Sequence, residues 1–299
     1  MTGAVDLRDT LTTALPNAAE GCAEPQYLRF YEMEPERGPA EASSWLARGQ
    51  NCVVWYASGA DGTTFERPET QDEYVVLLPD VGAVVTTAAG ETEVDAESLV
   101  VVPPGRSSVR LRGSGRAVLL LTSEAQDLLQ RASNAAAYDE WHANVAPLEC
   151  WPDPPAGPAV RVYRVADHPY DDKRFARIFR TSSFMVNWFD AANGPRDPDA
   201  LSPHIHDDFE QLSLVLDGSY VHHIRTPWGK RLRDWRADDH ETCDGPSLCI
   251  IPPPAVHTSQ AVGTGRNLLI DIFCPPRVDF SEKPGWVLNA DDYPTPSVS

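Results

Sequence analysis

The chain has 299 residues, 25 of them basic and 44 acidic, giving a net charge of −19 at neutral pH. So large an excess of negative charge repels phosphate, which excludes nucleic acid and anionic membrane from the expected partners. With 42% hydrophobic and 23% charged residues the composition is globular, with enough apolar residues for one large or two mid-sized domains.

Proline, at 27 residues, is well above the typical ~5%, and with 19 glycines it points to many short elements joined by turns rather than to long helices. No stretch approaches the ~20 consecutive apolar residues that span a bilayer. Met1–Asp9 lacks the basic-then-apolar order of a signal peptide. The six cysteines (Cys22, Cys52, Cys150, Cys243, Cys249, Cys274) form no CxxC and read as free thiols, so the expected location is the cytoplasm.

In chain order, the first half offers short β-rich runs at Cys52–Tyr56, Glu73–Leu78, Ala83–Thr87, Ser98–Val102 and Ala117–Leu121. Ser123 to about Trp141 reads as a helix, with Ser123 and Gln126 as a capping box and Leu128, Leu129, Ala132 and Ala136 as its apolar stripe. Pro147–Pro158, with five prolines in twelve residues, reads as a stiff linker. The second half offers strands at Arg161–Val165, Phe184–Phe189, Leu212–Leu216, Tyr220–Arg225, Leu248–Ile251 and Leu268–Phe273. Residues 1–25 and 285–299 read as arms or tails.

Two pairs of segments repeat between the halves. Ser98-Leu-Val-Val-Val-Pro-Pro-Gly105 matches Ser247-Leu-Cys-Ile-Ile-Pro-Pro-Pro254, and Asp72–Asp80 matches Phe209–Asp217. The chain is therefore expected to hold two copies of one β domain: residues 1–145, a linker over 146–160, and residues 161–299.

Six of the eight histidines (His204, His206, His222, His223, His240, His257) crowd into the second half. On an extended segment residues two apart share a side, so His204 and His206 can offer two imidazoles to one ion. Glu210 or Gln211 can add an oxygen, and His257 a third imidazole. Neutral imidazoles with one oxygen donor suit Fe, Zn, Ni, Cu or Mn.

At these residues the chain resembles the cupin superfamily, in its two-domain bicupin form. His204-x-His206, four residues, Gln211, six residues and Gly218 match the first cupin motif. Gly245 followed by Pro252-x-Pro254-x-x-His257 matches the second, with Pro254 in place of the usual glycine. The resemblance implies an all-β fold of two double-stranded β-helix (jelly-roll) barrels in tandem with a short linking helix. It also implies a divalent metal in the second barrel on His204, His206, Gln211 and His257, with Glu210 as the alternative to Gln211. The first half has no histidine before His142. Its counterpart of His257 is Ser108 and its counterpart of Gln211 is Glu73 or Tyr74, so this barrel is expected to be metal-free.

His222 and His223 are adjacent on a strand, so at most one enters the barrel, where it can serve as acid or base. Arg225 is a candidate clamp for a substrate carboxylate. Pro227–Arg236, basic and aromatic, reads as a lid or a dimer contact, and a homodimer is expected. The function implied is a metal-dependent enzyme acting on a small polar molecule, foremost an Fe(II) dioxygenase using O2. A redox-neutral isomerase, lyase or hydrolase is the alternative, followed by a non-catalytic binding cupin.

Overall fold

The structure is a computed structural model that describes residues 21–37, 42–171 and 173–296. Each half is built from two antiparallel sheets, and all eleven strands expected from the sequence are present. The first pairs a seven-stranded sheet, in the order Arg161–Arg164, Ser98–Val102, Tyr74–Leu78, Gly115–Thr122, Cys52–Gly59, Ser43–Arg48, Glu36–Arg37, with a four-stranded one. The second pairs a seven-stranded sheet, running through Gln26–Arg29, Ser247–Ile251, Gln211–Asp217, Arg266–Phe273, Met185–Trp188 and Arg177–Arg180, with the three strands Asp239–Asp244, Ser219–Arg225 and Val256–Ala261. This is the expected all-β pair of jelly-roll barrels.

The unbroken apolar runs have a physical cause. Every residue of Tyr74–Leu78 and of Ser98–Val102 is buried, because both faces of the long sheets are covered. Val76, Leu78, Val100 and Val102 fill the first barrel. Their neighbours Val75, Leu77, Leu99 and Val101 face outward and pack in one cluster with Leu212, Leu214, Leu248 and Ile250 of the second half. The two long sheets thus lie against each other.

Strand pairing does not follow the division at 146–160. Gln26–Arg29 adds to the second barrel, with Gln26 opposite Ile250, and Arg161–Arg164 adds to the first, with Arg161 opposite Val101. Each half lends the other an edge strand, which covers an otherwise open sheet edge.

Two sequence expectations are corrected. The helix expected over 123–141 is only Gln126–Leu129, followed by a single 3-10 turn at Ala135–Tyr138. Leu128 and Leu129 are buried as expected, but the chain then leaves the helix to bond a strand. Ser133 N–H donates to Leu46 O (2.8 Å), and the Asn134 amide bridges Arg48 N (2.9 Å) and Arg48 O (2.8 Å). Such side-chain to backbone bonds compete with helix continuation. Gln126 bonds the Ser123 carbonyl instead of closing a capping box.

The C-terminal arm is likewise packed: Tyr293 is 1% exposed, and Asn289 bridges Arg180 N (2.9 Å) and O (2.8 Å) as Asn134 does Arg48. The N-terminal arm lies mostly outside the described residues.

Arg116 ties the halves together. It bonds Asp80 of its own barrel (2.5 Å) and Leu216 O and Asp217 (2.8 Å each) of the other. Burial would raise the Asp217 carboxyl, but hydrogen bonds from Arg116 and Arg266 outweigh it and hold it below the ordinary carboxylate range. A depressed carboxyl stabilises the fold above its unfolded pKa and loses that contribution as pH falls through the folded value. Arg116→Met is therefore expected to cost about 2 kcal/mol near neutral pH. The cost should shrink below about pH 4, as read by urea denaturation across pH; a pH-independent cost would contradict this.

Candidate metal centre

His204 and His206 follow Pro203 on an extended segment that lies beside the strand Val256–Ala261. His204 and His257 exchange backbone hydrogen bonds (3.0 and 2.8 Å), which brings their rings to 4.4 Å. His206 sits 4.9 Å from each of the other two rings, and the three imidazoles present nitrogens within 4.8 Å of one another. Gln211 opens the next strand and points inward, with Oε1 2.9 Å from His206 Nε2 and 3.2 Å from His257 Nε2. Glu210 points the other way. Its carboxylate accepts Gln50 N–H (2.6 Å) and Tyr138 O–H (2.9 Å), so it is already engaged away from the imidazoles.

The surrounding hydrogen bonds decide which atoms carry protons. His204 Nδ1 and His257 Nδ1 each face a carbonyl, Ser202 O and Ala255 O, at 2.9 Å, so both Nδ1 atoms are donors, and in the neutral ring Nε2 is the atom that holds the lone pair. The Gln211 amide NH2 donates to Ser213 Oγ (3.0 Å), which donates to Asp271 (2.6 Å), and this turns Gln211 Oε1 toward the imidazoles. His257 Nε2 and Gln211 Oε1 are thus two acceptors face to face, an arrangement that a cation satisfies. Burial, with the neighbouring His257, pushes His206 down to about 2. Burial and His204 push His257 down to about 3, so both rings are neutral as metal ligation requires. The donor set fits a divalent ion.

The two barrels can be compared row by row. Across the second long sheet, Asn187, Asp271, Ser213 and Cys249 stand side by side facing inward. The same row of the first sheet reads Trp55, Leu119, Val76 and Val100. On the facing sheets, His222 and Ser259 stand where the first barrel has Val85 and Val109.

Gln211 corresponds to Tyr74, whose hydroxyl bonds Ser107 (2.9 Å). Ser107, not Ser108, is the buried residue at the His257 position, because the strand after the proline turn turns its side chains in one residue earlier. The first barrel is filled with hydrocarbon and the second is lined with polar groups.

His222 is fully buried within the second barrel and bonds Ser259 (2.9 Å); burial drives its pKa down to about 3. His223 and Arg225 face outward on the same strand, which corrects their candidacy. His223 bonds His240 (2.8 Å) and Gln260 (3.1 Å), and Arg225 forms a bidentate pair with Asp238, so it has no carboxylate of a substrate to clamp inside the barrel. Trp228 and Trp235 of the 227–236 excursion stack at 4.3 Å on the surface.

Asp271 was not anticipated. It is buried among apolar strand residues, and burial raises its carboxyl to about 6. It lines a cavity of about 300 Å3 with His204, Gln211, Tyr220, Ser259 and Arg196. Its signal in the sequence is a single acid in Leu268-Leu-Ile-Asp-Ile-Phe273.

The sequence matches no protein-family profile and no curated protein. Solved structures do match. An oxalate decarboxylase from Lactobacillus farciminis, in a formate complex, superposes with a TM-score of 0.58 at 10% identity, covering 88% of this chain and 89% of that one. AerE from Microcystis aeruginosa gives 0.55 at 10% identity, over 86% and 100%. A variant oxalate decarboxylase from Bacillus subtilis gives 0.52 at 10% identity, over 90% and 84%. The chain thus shares the tandem two-barrel fold of these structures, and at this identity the likeness speaks for the fold alone.

Asn187 is completely buried, and neither atom of its amide has a hydrogen-bond partner. Replacing an unsatisfied buried amide by an apolar side chain of similar size removes its desolvation penalty. Asn187→Leu is expected to raise stability by about 1 kcal/mol. A lower melting temperature in differential scanning calorimetry would show that the amide is satisfied in solution.

Proposed function

We propose that the second barrel is the active site of a metal-dependent enzyme acting on a small, polar, anionic or enolisable organic molecule. The observation that carries this reading is the polar row Asn187–Asp271–Ser213 set behind four convergent neutral donors, where the first barrel has hydrocarbon. His204, His206, Gln211 and His257 would hold the ion, which when bound supplies a Lewis acid toward a substrate oxygen. None of these ligands carries a charge, so the ion's positive charge is left to attract an anion.

The chain's own residues supply the rest. The cavity, about 300 Å3, suits a small molecule. Arg196, fixed by Ala200 O (2.7 Å) and Ser202 Oγ (2.9 Å), places a cation in its wall. Asp271 lines the same space as a buried carboxyl group that can take or return a proton, whereas Asp190, also in the lining, is paired with Arg177.

That carboxyl favours redox-neutral proton transfer, of the isomerase or lyase kind. Two of the structural neighbours are named oxalate decarboxylases, proteins whose substrate is a small dicarboxylate. The Fe(II) oxygenase reading uses the same donors and adds O2; Zn, Ni, Mn and Cu suit the same imidazole-rich set.

The test is a panel of small keto acids and dicarboxylates, offered to Mn2+- and Fe2+-loaded protein with oxygen uptake and solvent-deuterium incorporation followed together. Product formation or deuterium exchange without oxygen uptake is expected. Asp271→Asn should lower it by about 100-fold while metal content is unchanged. Oxygen consumed in step with product would give the oxygenase reading precedence, and saturable binding without conversion would make the chain a binding protein.

A further inference from the structure

The residue beside the amide ligand is held by the other half of the chain. Glu210 is 4% exposed, and its carboxylate accepts Gln50 N–H (2.6 Å) and Tyr138 O–H (2.9 Å). The Tyr138 hydroxyl in turn accepts Gln26 Nε2 (3.2 Å). Gln50, Tyr138 and Gln26 all precede the proline-rich linker. The fit is close: a Cβ on Gly49 would come within 2.8 Å of Glu210 Oε2.

The same clasp recurs at the other barrel. Glu73 accepts Ser182 N–H and O–H (2.8 Å each) and Tyr293 O–H (2.9 Å). Tyr138 and Tyr293 each stand four residues after the asparagine that bridges an arginine's backbone, Asn134 on Arg48 and Asn289 on Arg180. The two clasps differ in the residue next to the glutamate. Glu73 leads into Tyr74, which bonds Ser107 in the apolar barrel. Glu210 leads into Gln211, whose amide oxygen faces His206 and His257.

We propose that the first half of the chain positions the metal-ligating amide: Tyr138 and the Gln50 backbone pin Glu210, and so fix where the Gln211 peptide and side chain begin. Tyr138 is a positioning residue that never touches the ion. This inference rests on the metal reading above. It gives the apolar barrel a role in the chemistry of its twin, since partners that orient a ligand set metal affinity almost as the ligands do.

The duplicated clasp supplies its own control. Co2+ binding to the full-length wild type, Tyr138→Phe and Tyr293→Phe is followed by calorimetry and by the visible spectrum of the bound ion. Each variant deletes one hydroxyl-to-glutamate bond at equivalent places, and both should lower the melting temperature to a similar degree. Tyr138→Phe is expected to weaken Co2+ binding by about 10-fold and to shift the Co2+ absorption bands, with Tyr293→Phe unchanged in both. Equal affinity and spectra in all three proteins would overturn the positioning role. Equal weakening in both variants would overturn it as well, because general loosening would then explain the loss. A wild type that binds no Co2+ removes the metal reading itself, and the inference with it.

Discussion

The structure depends on the double burial of its two long sheets. Each seven-stranded sheet covers its own barrel with one face and the other half of the chain with the opposite face, so strands such as Tyr74–Leu78 and Ser98–Val102 have no solvent side. Polar groups that fall at this junction must find partners within the protein. That constraint accounts for the paired glutamates, each receiving a backbone N–H from a turn of the opposite half and a tyrosine hydroxyl. It accounts as well for the exchanged edge strands and for Arg116 reaching across to Asp217. The halves are joined by reciprocal insertion more than by the linker between them.

One backbone plan carries two unlike interiors. Position by position, Trp55, Leu119 and Val76 in the first barrel become Asn187, Asp271 and Ser213 in the second. The first set fills its barrel and adds to the core. The second set gives up hydrocarbon burial and leaves both amide atoms of Asn187 without partners. Proteins keep such groups where function uses them, at the expense of stability. The hydrogen-bond chain from Gln211 through Ser213 to Asp271 shows the use: it aims the Gln211 oxygen at the His257 lone pair, an arrangement that a cation reconciles.

Much of this was legible in the sequence, for identifiable reasons. His204 and His206 could be paired because strand side chains alternate. His257 could be joined to them because a proline turn returns the chain beside its start. The same alternation separated His222 from His223, but could not say which faced inward; the polar Ser259 opposite settles that on His222.

The segment 123–141 misled because its apolar spacing is helical, while Ser133 and Asn134 carry side chains that bond a strand better than they extend a helix. Asn134-Ala-x-x-Tyr138 and Asn289-Ala-x-x-Tyr293 are a true internal repeat, hidden because one copy sat in an expected helix and the other in an expected tail. The exchange of Gln26–Arg29 and Arg161–Arg164 left no local trace, since each strand is only four residues long and its partner lies in the other half of the chain. A lone acid in an apolar strand carries no spacing signal, so the place of Asp271 becomes visible only in the fold.

The most direct test of this account is the number of metal ions bound per chain, measured by inductively coupled plasma mass spectrometry after reconstitution and gel filtration. Wild type and His257→Ala are compared with Tyr74→Phe, which in the first barrel removes the hydroxyl that bonds Ser107, the residue at the His257 position. The account predicts about one ion per chain in the wild type and in Tyr74→Phe, from the four converging donors, and close to none in His257→Ala. An ion retained by His257→Ala, a second ion lost with Tyr74, or a wild type that cannot be loaded would contradict it.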